Sequence, residues 1–151
     1  METWQPSVPR QEIRILALDV GQKRIGLAVS DPLGITAQGL EVLTRKDPET
    51  DLARLLEVAR KWHVQEIVVG LPRHLDGREG TQAPAIMELA RALGDALGAP
   101  VTPWDERLTT VQAERVLLQA DLSRRRRRQV VDQVAAVLIL QSYLECRNLS
   151  K

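Results

Sequence analysis

The 151-residue chain carries 21 Lys and Arg against 20 Asp and Glu, is 44% hydrophobic, and has no Phe. A net charge of +1 excludes a global electrostatic case for nucleic acid, so such a case must rest on local clusters. One cysteine, Cys146, excludes an intramolecular disulfide, argues against a cysteine-based zinc site and fits a reducing cytoplasm, while no run approaches the ~18 apolar residues of a membrane span.

Residues 1–12 (METWQPSVPRQE) are polar and proline-broken, which predicts a loose tail rather than a signal peptide, ahead of one domain over 13–147. Residues 13–19 are nearly continuously apolar, as in a strand covered on both faces. Residues 24–30 alternate Ile25, Leu27 and Val29 with Gly26, Ala28 and Ser30, and the short link between these strands predicts an antiparallel hairpin. A third strand is expected over 35–43. A helix over about 48–62, capped by Asp47 or Thr50, carries the apolar stripe Leu52, Leu55, Leu56 and Ala59. A short strand over 66–69 leads to a polar loop, 73–80, containing His74 and an Asp76-Gly77 turn signal. A second helix is expected over about 83–97, stopped by Gly98, and a last strand over 101–104. Thr109 and Gln112 suit a capping box for a helix to about Gln119, and Ser123 can cap a final helix ending near Leu144. The order β-β-β-α-β-α-β-α-α is that of one α/β domain.

Three acidic positions end or interrupt apolar elements. Asp19 closes the first strand, Asp105 and Glu106 close the last, and Asp132 lies within the final helix. At about 100° per residue, Ala135, Ala136, Ile139 and Tyr143 fall within ~60° of Asp132, which puts this acid on a stripe expected to pack on the sheet. A buried carboxylate needs an arginine, a hydrogen-bond network or a metal ion. Clustered strand-end carboxylates suit Mg²⁺ or Mn²⁺ better than zinc, and two such ions can promote phosphodiester cleavage. Each acid also has an ordinary explanation: Asp19 as a turn residue, Asp132 as an arginine partner, Asp105-Glu106-Arg107 as a loop with a local salt bridge. The residues alone leave their convergence open.

Cations lie beside these acids. Arg124, Arg125, Arg126, Arg127 and Arg128 form an unbroken run that opposes the dipole at a helix start, which points to an external polyanion such as phosphate. The alternative is a solvated, frayed helix start. Lys23, Arg24 and Arg107 each adjoin a strand-end acid, where they can contact a substrate backbone or form structural ion pairs. Trp104, on a short strand, fits the core better than a base-stacking platform.

The motifs LDVGQKRIGLAVSD (18–31), VVGLPRHLDGREG (68–80), DERLTT (105–110) and VDQVAAVLILQSYL (131–144) span nearly the whole chain. With them the chain resembles the YqgF/RuvX family of Holliday-junction resolvases and pre-ribosomal-RNA nucleases, within the RNase H-like superfamily. The resemblance implies a three-layer α/β fold: a mixed five-stranded sheet, its first three strands antiparallel, with helices on both faces. It implies a catalytic and metal-binding set of Asp19, Glu106 and Asp132 for Mg²⁺ or Mn²⁺, with Asp105 as the alternative middle ligand. Lys23, Arg24, Arg107 and the run Arg124 to Arg128 would contact nucleic acid. Its loop position where the family suggests an asparagine-like residue is His74. The implied activity is endonucleolytic hydrolysis of branched DNA or precursor ribosomal RNA in the cytoplasm. A two-fold junction would call for a homodimer; RNA processing would not. A non-catalytic RNA- or ribosome-binding module is the rival reading. An ATPase of the sugar-kinase and actin type is a third, disfavoured by a chain too short for a two-domain cleft.

Overall fold

A computed structural model describes residues 13–71, 82–106 and 124–149, with side chains of the last segment described from Gln133 to Asn148. Its elements are β1 (Arg14–Val20), β2 (Arg24–Ser30), β3 (Ala37–Thr44), α1 (Pro48–Lys61), β4 (Val64–Leu71), α2 (Ala83–Leu97), β5 (Val101–Asp105) and α3 (Arg124–Leu149). The expected loop at 73–80, the capped helix after Thr109, and the tail 1–12 lie outside the described residues.

The sheet order is β3-β2-β1-β4-β5, with β1, β2 and β3 antiparallel in turn and β4 and β5 parallel to β1. β1 is the central strand, hydrogen-bonded on both sides, which is why its sequence is apolar without alternation. Its side chains nevertheless sort by parity. Leu16, Leu18 and Val20 join the core beneath α1 and α2, together with Ile25, Leu27, Val29, Ile67 and Val69. Ile15 and Ala17 join a second core beneath α3, with Ala28, Val68, Ala135, Ala136, Ile139 and Leu140. The molecule therefore has three layers, with α1 and α2 on one face of the sheet and α3 on the other.

Helix ends follow local chemistry. Asp47 caps α1 by accepting from the Thr50 N–H at 2.8 Å, and Pro48 occupies the first turn, where its missing N–H costs nothing. α2 stops at Gly98, whose φ of 68° is left-handed. A Cβ there would meet nothing within 4 Å, so only the backbone conformation penalises another residue. Gly98→Ala is expected to cost about 1 kcal/mol, roughly 2–4 °C in Tm, by thermal unfolding.

The β2–β3 turn is held by Asp31. Its carboxylate accepts N–H groups from Ile35 and Thr36, both at 2.7 Å, and from Leu33 at 3.2 Å. Partial burial pushes the Asp31 pKa up, but these backbone bonds together outweigh it and hold the group below its ordinary value. A carboxylate with a lowered folded pKa contributes stability above its unfolded pKa and loses it as pH falls through the folded one. The protection of the Ile35 and Thr36 amides, relative to their intrinsic exchange rates, should therefore fall on acidification below about pH 4, and Asp31→Asn should remove that dependence.

Among the described residues, the differences from the sequence reading lie at element ends. β3 starts two residues later than expected, because 31–36 is committed to the Asp31 turn, and β4 begins at Val64 rather than Glu66. α3 includes the backbone of all five arginines from Arg124 to Arg128, despite their unfavourable placement against the helix dipole. The buried stripe Ala135, Ala136, Ile139, Leu140 and Leu144 gives this helix a tertiary contact that outweighs its poor start.

Candidate active site

Four buried polar or charged side chains stand out among the described residues: Asp19, Ser30, Asp51 and Glu106. Ser30 and Asp51 serve the scaffold. The Ser30 Oγ accepts from the Ile15 N–H at 2.8 Å and joins β2 to β1. Asp51, in α1, accepts from the Lys46 N–H at 2.9 Å and faces the Arg45 Nε at 3.4 Å. The other two, Asp19 and Glu106, are 5% and 4% exposed, and both lie at the edge of the sheet where β1, β4 and β5 end.

Asp19 continues the parity of Ile15 and Ala17, so it belongs to the α3 face. On β2 its partner is Gly26. On β4 the parallel register pairs Ala17 with Val68 and Leu18 with Val69, so one step further sets Asp19 beside Gly70. Glycines thus occupy both flanking positions on that face, and neither presents a side chain over the carboxylate. Glu106 enters the same corner from β5: its Oε1 lies 3.4 Å from where a Cβ on Gly70 would be. Asp105 pairs with Leu71, whose side chain lies in the core beneath α1 and α2. Asp105 therefore takes the opposite face, and Glu106 is the acid of this pair that shares a face with Asp19.

α3 crosses this face. Gln133 donates to the Leu40 carbonyl at 3.0 Å, and the Ile139 side chain covers Gly70. Asp132 is a residue of this helix, three and four positions ahead of the buried Ala135 and Ala136. Its side chain, like those of Arg124, Arg125, Arg126, Arg127 and Arg128, lies outside the described residues, as do Arg107 and His74 altogether. Among the described residues no three His, Cys, Asp or Glu side chains stand close enough to hold a metal ion. Lys23 is exposed in the β1–β2 hairpin, and Arg24, half-buried, starts β2 opposite Thr44.

Trp104 is partly buried and packs against the core beneath α3. Its ring meets Tyr143 edge-to-face at 5.5 Å, and its Nε1 donates to the Ser142 Oγ at 3.3 Å. The Tyr143 hydroxyl donates to Glu66. Burial first, and that bond second, push the Tyr143 pKa up to about 12, so it remains a proton donor at neutral pH.

The sequence reading missed Asp51 and Arg45. An acid in a helix's first turn is ordinary in sequence, and nothing local marks this one as buried.

The chain matches the family model RuvX, described as Holliday junction resolvase, over residues 13–146. A protein of Moorella thermoacetica named "Putative pre-16S rRNA nuclease" is 59% identical over 133 residues, covering 88% of this chain and 95% of its own. One of the same name from Syntrophomonas wolfei is 52% identical over 139 residues, covering 92% and 99%. Among solved structures, T. thermophilus RuvC in complex with a Holliday junction substrate superposes with a TM-score of 0.57 at 15% identity, covering 89% of this chain and 96% of that one. The fowlpox virus Holliday junction resolvase gives 0.55 at 15% identity, covering 89% and 99%. At such identity these two structures show a shared fold and no more.

Proposed function

This chain belongs to the RuvX family of Holliday junction resolvases, and from that premise we propose that it is a divalent-metal-dependent endonuclease acting on structured nucleic acid. The observation that carries the reading is the corner itself: two buried carboxylates, Asp19 and Glu106, on one face of the sheet, with glycines beside Asp19 on both neighbouring strands.

The donor set fits a hard cation. Carboxylate oxygens on rigid elements suit Mg²⁺ or Mn²⁺, and an ion offsets the cost of burying two like charges near each other. Asp19 and Glu106 would hold it, with Asp132 as the third ligand. Bound there, the ion would supply Lewis acidity toward a phosphodiester and activation of water. The chain's own contribution is placement. Asp19 is fixed on the central strand, and Lys23, Arg24, Arg107 and the arginines 124–128 would bind backbone phosphates on either side of the scissile one.

Of the two substrate classes, we put precursor 16S rRNA first, because relatives at 52% and 59% identity carry that name. A four-way DNA junction is the alternative, and its two-fold character would require a homodimer. The cytoplasm is the compartment in which either substrate would be met.

Incubating the full chain with a labelled transcript spanning the 16S precursor 5′ end, and separately with a four-way junction, tests the reading. No cleavage is expected in EDTA, and addition of Mg²⁺ or Mn²⁺ should restore it. Independently of turnover, Mn²⁺ at about 100 times its Kd should stabilise the protein by about 2.7 kcal/mol, and Asp19→Asn should lose most of that shift. Cleavage unaffected by EDTA would remove the metal from the account. Salt-sensitive binding without turnover under any metal would replace the nuclease by a binding module.

A further inference from the structure

The β1–β2 hairpin follows directly on Asp19 and is gripped from outside its own strands. Arg45, the residue after β3, donates its backbone N–H to the Lys23 carbonyl at 2.8 Å. Its guanidinium Nη1 donates to the Gly21 carbonyl at 3.0 Å. One residue thus holds the two carbonyls that bracket Gln22 and Lys23. The guanidinium is aimed from behind by Asp51, which is 3% exposed and lies 3.4 Å from the Arg45 Nε. The second Asp51 oxygen is occupied by the Lys46 N–H at 2.9 Å, so the acid orients both Arg45 and the chain leaving it.

The hairpin already closes itself, with the Gly21 N–H donating to the Arg24 carbonyl at 2.8 Å. A turn closed in this way does not need a charged pair to form. A buried carboxylate committed to an arginine is a weak source of net stability, because desolvation offsets most of the attraction. What the pair adds is a single geometry, since the planar guanidinium engages a carboxylate and a carbonyl in fixed directions.

We infer that Arg45, aimed by buried Asp51, is a positioning residue that fixes the Gly21–Lys23 hairpin so that Lys23 meets a backbone phosphate beside Asp19. The inference rests on the nuclease reading for the phosphate, but the clamp itself is independent of it. Arg45 touches no substrate; it acts through Lys23.

The test combines amide exchange with a double-mutant cycle on the full chain. Arg45→Met keeps the side-chain stem and the backbone N–H to Lys23 while removing the guanidinium. Exchange at the Gly21 amide should accelerate about tenfold or more, with Ala17 and Leu18 on the same strand unchanged. Binding is then measured by anisotropy on the labelled precursor transcript and the four-way junction, in Ca²⁺ to suppress turnover. Lys23→Ala and Arg45→Met should each weaken binding by a similar factor and lower its salt dependence. The double variant should be no weaker than either alone, because both remove the same contact. Arg45→Lys, which keeps a charge beside Asp51 without the fork, should fall between wild type and Arg45→Met. It also serves should Arg45→Met fold poorly.

Additive losses in the cycle would overturn the inference, as would Arg45→Met binding like wild type. Unchanged affinity in Lys23→Ala, with Gly21 exchange still accelerated, would leave a structural clamp and overturn the positioning role. If wild type cleaves neither probe under any metal, the nuclease reading fails, and that result is distinguishable because the exchange measurement does not depend on it.

Discussion

Asp19→Asn is expected to lower cleavage at least about 10³-fold while leaving the fold intact. The substitution is nearly isosteric and removes one charge from a buried corner that also holds Glu106. If the carboxylate grips a cation, the loss is several kcal/mol of transition-state stabilisation, and each 1.36 kcal/mol is about tenfold in rate. Stability should move little, within about 5 °C in Tm, because the amide keeps the shape and volume of the carboxylate it replaces. Single-turnover cleavage and a thermal melt of the same preparation check both halves. Retention of activity within tenfold would refute the assignment of Asp19. A collapse of Tm alongside activity would show Asp19 to be chiefly structural.

Gly70→Ala carries the largest expected loss of stability. A Cβ there would lie 2.5 Å from Ile139 Cδ1, a separation no packed pair tolerates, and Ile139 is fully buried beneath α3. Overpacking of this kind costs about 1–3 kcal/mol. The severe contact is with that methyl, the next being Ile139 Cγ1 at 3.3 Å, so removing the methyl should relieve most of the clash. Ile139→Val alone should cost about 0.5–1.5 kcal/mol. The double variant should be more stable than the sum of the two losses implies, by denaturant unfolding. The same Cβ would touch Glu106 Oε1 at 3.4 Å, which is ordinary contact. Gly70→Ala/Ile139→Val should therefore keep most of its activity. Gly70→Val must push the Glu106 carboxylate aside and should lose activity even where the fold survives. Additive stabilities in the Ala/Val pair would show that the strain lies elsewhere.

These two variants mark what could and could not be read from the chain alone. The hairpin of β1 and β2, the helices α1 and α2 and their caps were legible because each is decided locally, by apolar periodicity, by Asp47 and by Gly98. That the last strand ends in an acidic pair, Asp105 and Glu106, was legible too. Which of them shares a face with Asp19 was not, because that depends on the register of three strands. The empty flanks at Gly26 and Gly70 are likewise a property of pairing. Asp51 and Arg45 lie six residues apart, yet their role is visible only once Gly21, twenty-four residues from Arg45, is folded against them. Asp132 was picked out by helical spacing, which set it on the stripe of Ala135, Ala136 and Ile139, and its role as a ligand came from resemblance to a family. Arg107 and the helix expected after Thr109 fall outside the described residues.

The central place of β1 has a consequence for how the protein fails on heating. Strands at a rim can peel away while the remainder stays closed, but β1 is bonded to β2 on one side and β4 on the other and covered by both helical layers. Asp19 cannot be released by fraying. Loss of its geometry should coincide with cooperative melting of the whole sheet, so heat inactivation and the calorimetric transition should trace a single curve.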